Sequence, residues 1–245
     1  MVSLARDNFD TLHFGYDVFN LRFQENGSGL KESYKDGIAH LTAPFLVTTY
    51  LPIQSVEHIA EIQELGFQFI ECRVYVTKEI RQYYSTNDLY PFSFQRVNDY
   101  PVLNELLKRS ETMDFDDRYS CDPRINKGLA LKRNLVFLEQ SFQRDNEPIF
   151  ILKNEFSEEI LGFRSFRLDS DIEVSMLLCG VLPNQQSDKY LRMINSFELE
   201  ALGKIGVQYV NAVLSARNYS EVNRYIAENG FQIEKIEYVC RKISD

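Results

Sequence analysis

The phrase IQELGFQF, Ile62–Phe69, decides the fold of this chain, because nearly the same phrase returns 164 residues later as IAENGFQI, Ile226–Ile233. The two stretches share Ile, Glu, Gly, Phe and Gln at the same offsets, which makes five identities in eight positions. Each phrase predicts a helix that ends at a left-handed glycine and turns directly into a strand. The recurrence favours a repeated structural unit over chance similarity.

The residues before each glycine follow helical spacing. The early helix has Ser55 as its predicted N-cap, and the late helix begins at Asn218 or Ser220. The early apolar stripe consists of Val56, Ile59, Ile62 and Leu65, and the late stripe of Val222, Tyr225 and Ile226. Strands are expected directly after Gly66 and Gly230, where β-branched and aromatic residues alternate.

The composition narrows the class of protein. The chain has 245 residues, 44% of them hydrophobic, which suits a globular protein with a substantial core. A formal net charge of −9 and a pI near 5.0 argue against nucleic-acid binding, which normally needs a concentrated basic face. No apolar run approaches membrane-spanning length, so we expect a cytoplasmic protein without membrane attachment.

The four cysteines are spaced far apart and form no CxxC pair, and the chain has only three histidines. A structural zinc site is therefore not expected, and the cysteines are interpreted as reduced thiols. We expect no metal cofactor.

The organisation along the chain indicates two parts. The polar stretch Tyr83–Pro101 carries two prolines and is interpreted as a linker or an opening strand. We predict an N-terminal domain over residues 1–88 and a C-terminal domain over residues 89–245. The second part follows the order α-α-β-β-β-α-β-α-β, which predicts an α/β (α+β) protein with a mixed sheet flanked by helices.

The element order, with VLPNQQSDKYLRM (181–193) between a strand and a helix and with ARNYSEVNRYIAENGF (216–231), resembles the GCN5-related N-acetyltransferase (GNAT) superfamily. Four segments resemble its dTDP-fucosamine acetyltransferase branch: LARDNFDTLHFGYDV (4–18), EIQELGFQFIECRVYV (61–76), DDRYSCDP (116–123) and RNYSEVNRYIAENGF (217–231). The resemblance implies the GNAT acyl-CoA N-acyltransferase fold, with an N-terminal partial GNAT-like half attached to a complete one. The repeated phrase would then be the corner that closes a sheet in each half.

The resemblance implies transfer of an acetyl group from acetyl-CoA, as co-substrate, to an amine by direct attack in a ternary complex. It puts Tyr225 at the general acid, although spacing alone favours a simple apolar-stripe role for that residue. Asn218 would cap the helix and bind the pantetheine arm. Glu173, at the start of the third strand, is a candidate base, and His13 is expected to be structural.

The cofactor-binding residues also follow from the resemblance. The strand backbone at Leu177, Leu178, Cys179, Gly180 and Val181 would bind pantetheine, and Gly180 would mark a bulge or a close approach. The pyrophosphate loop would include Gln186, Ser187, Lys189, Tyr190, Leu191 and Arg192. This loop lacks the family's glycines and adds Asp188, so Lys189 and Arg192 are expected to supply positive charge at the helix N-terminus.

On the acceptor side, Arg118, Tyr119 and Asp122 are the candidate substrate-binding residues, since an arginine can hold a phosphate or carboxylate bidentately. The implied acceptor is a small-molecule amine, with a nucleotide-linked amino sugar of polysaccharide biosynthesis as the first candidate. An amine on a peptide stays open, as does a homodimeric assembly. The alternative function is a non-catalytic GNAT-like binding or partner module with a degenerate pyrophosphate loop.

Overall fold

The computed structural model describes residues 2–23, 34–35, 38, 41–80, 89–115, 117–182 and 187–244. Within them, ten strands form one mixed sheet and six helices flank it. The strands are β1 (Val2–Arg6), β2 (Asp17–Phe23), β3 (Phe45–Pro52), β4 (Gln68–Glu79), β5 (Phe92–Arg96), β6 (Ile149–Asn154), β7 (Ile160–Leu168), β8 (Glu173–Val181), β9 (Tyr209–Ser215) and β10 (Gln232–Ser244). The helices are α1 (Asn8–Phe14), α2 (Val56–Glu64), α3 (Tyr100–Ser110), α4 (Lys127–Phe142), α5 (Ser187–Lys204) and α6 (Tyr219–Asn223).

The order of the strands shows an exchange between the two parts of the chain. The sheet runs β1-β2-β3-β10-β4-β9-β8-β7-β6-β5. The strand after the early phrase, β4, pairs with β9 and β10, whereas the strand after the late phrase, β10, pairs with β3 and β4. Each corner therefore delivers its strand to the other half, and the two exchanged strands lie antiparallel at the centre of the sheet.

Both phrases turn as their sequences predict. Gly66 and Gly230 have φ values of +86° and +70°, and the strands begin two residues later. The N-cap expectation differs between the copies. Ser55 makes no side-chain capping hydrogen bond, whereas the Asn218 Oδ1 accepts from the backbone N–H of Glu221 at 3.2 Å.

Packing explains why the strands stay exchanged. On β4, Val74 and Val76 are buried in a cluster with residues of β8 and β9, including Val174 and Val210. On β10, the buried Cys240 packs in a cluster with residues of β2, β3 and α2. Each exchanged strand thus buries apolar side chains in the core of the half that receives it.

Helices cover both faces of the second half of the sheet. Leu103, Leu106 and Leu138 of α3 and α4 pack with Ile151, whereas Tyr190 and Met193 of α5 pack with the adjacent Leu152. Neighbouring residues in a strand point to opposite faces, so the two helix groups lie on opposite sides. The predicted mixed sheet flanked by helices is confirmed.

The predicted domain boundary at residue 88 stays a prediction, because residues 81–88 lie outside the described ranges. The stretch beyond it contains β5, which agrees with the opening-strand interpretation. Among the described residues, no helix is long and apolar enough to cross a membrane.

The exchange predicts one cooperative unfolding transition for the whole chain. Val76→Ala removes two buried methyl groups from β4 and should lower the free energy of unfolding by about 2 kcal/mol. In urea, far-ultraviolet circular dichroism and the near-ultraviolet tyrosine signal should shift together. Val213→Ala, at a 39% exposed position of β9, is the matched control and should shift the midpoint little. Two transitions, only one of them moved by Val76→Ala, would contradict the exchange.

Candidate active site

The site begins where two parallel strands separate. β8 and β9 pair at Glu173–Tyr209, Val174–Val210 and Ser175–Asn211, and no later pair forms between the described residues of these strands. In the first half, by contrast, the parallel strands β2 and β3 stay paired over five residues. Only the β8–β9 pair therefore opens a gap within the described part of the sheet.

A bulge in β8 accompanies the separation. The register with β7 shifts between Arg164–Cys179 and Phe166–Met176, which leaves one extra residue on β8. Ser165 lies opposite this bulge, where its Oγ accepts from the Leu178 N–H at 3.0 Å and donates to the Leu178 carbonyl oxygen at 3.4 Å. A bulge at this point bends the strand away from β9.

Gly180 marks a close approach and not the bulge itself. A Cβ added there would lie 2.2 Å from Cε of Met113 and 2.7 Å from Cε1 of Phe163. The glycine thus lets side chains from the neighbouring strand and loop pack against the β8 backbone.

The gap leads into a cavity of about 410 Å³. Its walls come from β4, β7, β8, β9, the start of α5, the region around α6 and the 113–119 loop with α4. Eleven predicted site residues line it: Leu177, Leu178, Cys179, Gly180, Val181, Ser187, Leu191, Asn218, Tyr225, Arg118 and Tyr119. The structure therefore brings most of the predicted site residues together.

Tyr225 lines this cavity and is fully buried, on a π-helical turn over Arg224–Glu228 that continues α6. Its hydroxyl accepts from Arg164 Nη2 at 2.6 Å and donates to the Met176 sulfur at 3.3 Å. A thioether is a weak acceptor, so the hydroxyl hydrogen is free for a stronger one. Such π-turns are frequent at functional sites.

The electrostatics of Tyr225 follow from its partners. Burial raises the pKa of Tyr225 well above its ordinary value, and the Arg164 guanidinium opposes that rise. Arg164 is itself buried, with its Nε donating to Glu198 at 2.7 Å and its Nη2 to Asn195 at 3.3 Å. The phenol therefore stays protonated at neutral pH, next to a cation that stabilises negative charge on its oxygen.

Cys179 also faces the cavity, and burial raises its pKa to about 12. A thiol with that pKa is almost entirely protonated at neutral pH and is a poor nucleophile. Cys179 therefore faces the cavity as a neutral thiol and not as a thiolate nucleophile.

Asn218 combines a capping role with a position at the cavity wall. Its Oδ1 accepts from the Glu221 N–H and, at 3.0 Å, from the Ser220 hydroxyl, while its Nδ2 donates to Glu221 Oε2 at 3.1 Å. These contacts fix the amide orientation at the mouth of the β8–β9 gap.

Other predicted residues lie elsewhere. Lys189 is 5.3 Å from the Phe92 ring centroid, and Arg192 forms an exposed ion pair with Glu228. Tyr190, in the first turn of α5, is buried against Leu152 and Leu161 of the sheet. Glu173, at the paired end of β8 and β9, accepts from Asn211 at 2.6 Å and does not reach the cavity. Gln186 and Asp116 lie outside the described residues.

Arg224 does not line the cavity, but it brings a positive charge close to Asp188 in the first turn of α5. It is 6% exposed, its Nη2 lies 3.8 Å from Asp188 Oδ1, and its Nη1 has no hydrogen-bond partner among the described residues. Sequence reasoning missed this residue because it precedes Tyr225 in a helix and follows no loop motif.

Charged groups from other elements also line the cavity. Glu71 and Arg73 come from β4, whereas Asp117, Arg118 and Arg133 come from the loop before α4 and from α4 itself. Of these, the sequence interpretation had singled out Arg118 as a substrate-binding residue. Tyr119, also a predicted substrate-binding residue, lines the cavity as well, whereas the third, Asp122, is buried in ion pairs with Arg124 and Arg241, both at 2.9 Å, and does not line it.

A buried network fixes this loop. Arg133 Nε donates to Asp10 Oδ1 at 2.6 Å, and the Tyr119 hydroxyl donates to the other oxygen of the same carboxylate. Helix α1 of the first half therefore anchors the segment before α4 that carries Tyr119. His13, in the same helix, contacts the Leu129 carbonyl oxygen through Nε2 at 2.8 Å, which agrees with a structural role. In the described part of the chain, no three His, Cys, Asp or Glu side chains lie together in a group that could hold a metal ion.

Comparison with known proteins gives structural relatives only. No protein-family model matches the chain, and no curated protein matches it. A GCN5-related N-acetyltransferase from Sphaerobacter thermophilus is similar with a TM-score of 0.66 and 11% identity, over 99% of this chain and 76% of that one. One from Kribbella flavida gives 0.58 and 7%, over 94% and 82%.

A tandem GNAT protein from the clavulanic acid biosynthesis pathway is also similar, with a TM-score of 0.55 and 9% identity, over 93% of this chain and 76% of that one. Similarity at this level of identity establishes the fold and not the activity. The predicted fold is confirmed, while the resemblance to the dTDP-fucosamine acetyltransferase branch stays a prediction. The chain has the mixed α/β fold of the GCN5-related N-acetyltransferases.

Proposed function

We propose that this protein is an acyl-CoA-dependent N-acetyltransferase that transfers an acetyl group to an amine of a small molecule. The observation that carries the proposal is the gap between β8 and β9, which leads into a cavity lined by the buried Tyr225. A gap between parallel strands offers backbone groups to a narrow ligand, and the phenol offers a proton at one point along it.

The residues around the gap fit a pantetheine arm. β8 has no sheet partner on the β9 side from Met176 to Val181 among the described residues, so its backbone groups there are available to the amides of the arm. Asn218 lies at the same wall. When bound, acetyl-CoA supplies an activated acyl thioester, and the chain supplies alignment and proton transfer.

A pyrophosphate fits at the N-terminus of α5 without the glycine loop. The helix spans 18 residues, and its first backbone N–H groups can donate hydrogen bonds to an anion. Arg224 adds a buried guanidinium whose Nη1 is unsatisfied within the described structure. We assign the compensating charge to Arg224, since Lys189 and Arg192 are engaged by Phe92 and Glu228.

Tyr225 is the proposed general acid for the coenzyme A thiolate. The thiolate would take the place of the Met176 sulfur as acceptor of the hydroxyl hydrogen. Arg164 then stabilises the phenolate oxygen through its 2.6 Å contact. This arrangement offsets the raised pKa of the phenol, which by itself would disfavour proton release.

For the acceptor, a nucleotide-linked amino sugar stays the first candidate, and the arginines that line the cavity supply the local positive charge that its phosphates need. The alternative, a non-catalytic binding module, gains no support from the geometry. A buried phenol, its cation and an open strand gap together form a reaction site that a scaffold does not need.

Calorimetric titration with acetyl-CoA, and with coenzyme A alone, tests the proposal. We expect micromolar binding of both. Arg224→Met should weaken binding by roughly 10- to 100-fold, because a hydrogen-bonded charge contact to the phosphates is lost. Arg192→Met, an exposed position paired with Glu228, is the comparison variant and should change binding about twofold or less.

Absence of binding at millimolar acetyl-CoA would contradict the proposal and favour the non-catalytic module. If Arg192→Met weakened binding more than Arg224→Met, the charge assignment at α5 would be reversed.

Tyr225→Phe should lower kcat by ~100-fold or more, since it removes the proton donor while keeping the ring in the core. The affinity for acetyl-CoA should stay within about threefold, because the phenol contacts the reacting sulfur and not the anionic part of the cofactor. Thiol release from acetyl-CoA measures the first quantity and calorimetry the second. Turnover close to that of the unmodified protein would exclude Tyr225 as the acid.

A further inference from the structure

Glu71 is a buried carboxylate without a complete set of partners. It lies on β4, is 4% exposed, and lines the cavity. Its Oε2 is buried and has no hydrogen bond to any described residue. Burying a carboxylate oxygen costs free energy unless a hydrogen-bond donor or a cation contacts it. We therefore expect a bound ligand to donate a hydrogen bond to Glu71 in the cavity.

The location of Glu71 fits the incoming amine. It is two residues from Arg73, which pairs with Ser215 at the end of β9 where the chain turns toward Asn218. Residues two apart in a strand share a face, so Glu71 and Arg73 both face the cavity. The carboxylate therefore faces the same cavity that Tyr225 lines.

Two arginines beside Glu71 retain free donors. The guanidinium of Arg73 stacks 5.2 Å from the Tyr50 ring centroid and 5.5 Å from that of Tyr75, with no ion pair to a described residue. Arg118 Nε is buried and unpaired within the described structure, although its Nη2 donates to Tyr119 at 3.2 Å and lies 4.0 Å from Asp10 Oδ2. Arg133 is held more closely by the same carboxylate, because its Nε donates to Asp10 Oδ1 at 2.6 Å.

We infer that the acceptor is a small amine that also carries an anionic group, with its ammonium bound to Glu71 and its anion to Arg73 and Arg118. This inference rests on the proposed transferase function and names the substrate class of the same site. A carboxylate and a phosphate share the chemistry that a guanidinium recognises, and both classes of acceptor are therefore included.

The exchange of strands gives the first half of the chain a function here. Glu71 and Arg73 belong to β4, which precedes the second half but lies beside β9. The early repeat thus completes the acceptor site of the later one, in addition to closing the sheet.

The ammonium group of the acceptor loses two protons during the reaction. The ammonium loses one proton to Glu71, which passes it to solvent. The amine nitrogen then bonds to the carbonyl carbon of the thioester while the carbon–sulfur bond breaks. Tyr225 protonates the departing sulfur and is restored by the second proton that the nitrogen loses.

The groups around Glu71 determine its pKa and therefore the pH dependence of kcat/KM. Burial raises the pKa of Glu71, whereas Ser215, Arg73 and Arg118 lower it and Asp117 raises it further. The titratable and charged groups that face it come from β4 and from the segment before α4: Cys72, Arg73, Asp117, Arg118 and Cys121. Only the carboxylate accepts a proton, so kcat/KM should fall as the pH drops through this raised pKa.

The experiment compares amines that differ only in the anionic group. Suitable pairs are phenylalanine and phenethylamine, leucine and isoamylamine, and glucosamine 6-phosphate and glucosamine. Binding to the protein is measured by calorimetry without acetyl-CoA, and turnover by thiol release with it. In at least one pair, the anionic member should bind and react ~10-fold or more better than its partner.

Variants assign the contacts. Arg73→Met and Arg118→Met should remove most of that preference, whereas Arg96→Met, at an exposed position of β5, should keep it. Glu71→Gln should lower kcat ~100-fold and abolish the acidic limb of the pH profile, with acetyl-CoA affinity within threefold. Glu234→Gln, at an exposed position of β10, is its control.

The outcomes separate the inference from the proposed function. Equal binding within every pair, or no binding of any amine, would overturn the inference even if acetyl-CoA binds. Preferential binding of the anionic amines, lost in Arg73→Met, would support it even if acetyl-CoA failed to bind. If the pH profile of Glu71→Gln kept its acidic limb, Glu71 would not be the base.

Discussion

The placement of β4 between β9 and β10 is the constraint on which the rest of the structure depends. Because β4 holds β9 along its whole length, β9 can separate from β8 without losing its other neighbour. The apolar residues Val74 and Val76 fix that placement in the core of the second half. The same strand then carries Glu71 and Arg73 to the cavity, so one packing arrangement both stabilises the gap and supplies part of the cavity wall.

The buried contacts of Arg164 with Glu198 and Tyr225 are a second constraint on the site. Arg164 is enclosed between Glu198 and Tyr225, and a buried charge of this kind is tolerated only when its partners are well placed. The pair fixes the phenol orientation on the π-helical turn. It also places a cation where the phenol would become negative, which is the general strategy of preorganised electrostatics.

Much of the fold follows from local sequence patterns, and so does one wall of the site. The repeated phrase predicts both corners, and the segment 217–231 brings Asn218 and Tyr225 to the cavity. The strand Glu173–Val181 is recognisable from its composition, and its backbone lines the gap. These features are visible because each depends on residues close together in the chain.

The rest depends on contacts between distant residues. The sequence of a closing strand does not determine which half of the protein receives it, since Val74 and Val76 would suit either core. Glu71 consequently showed no functional signal, because its role arises only beside β9 and the loop at Arg118. The charge at α5 was expected from the loop motif, whereas Arg224 reaches the helix from the neighbouring segment.

The most direct test of the proposed reaction site is a crystal structure of the protein with coenzyme A. We expect the pantetheine arm to lie between β8 and β9, with its amides on the backbone of Leu177–Val181 and its sulfur within hydrogen-bonding distance of the Tyr225 hydroxyl. Coenzyme A bound elsewhere on the surface, with the gap between the strands empty, would contradict it.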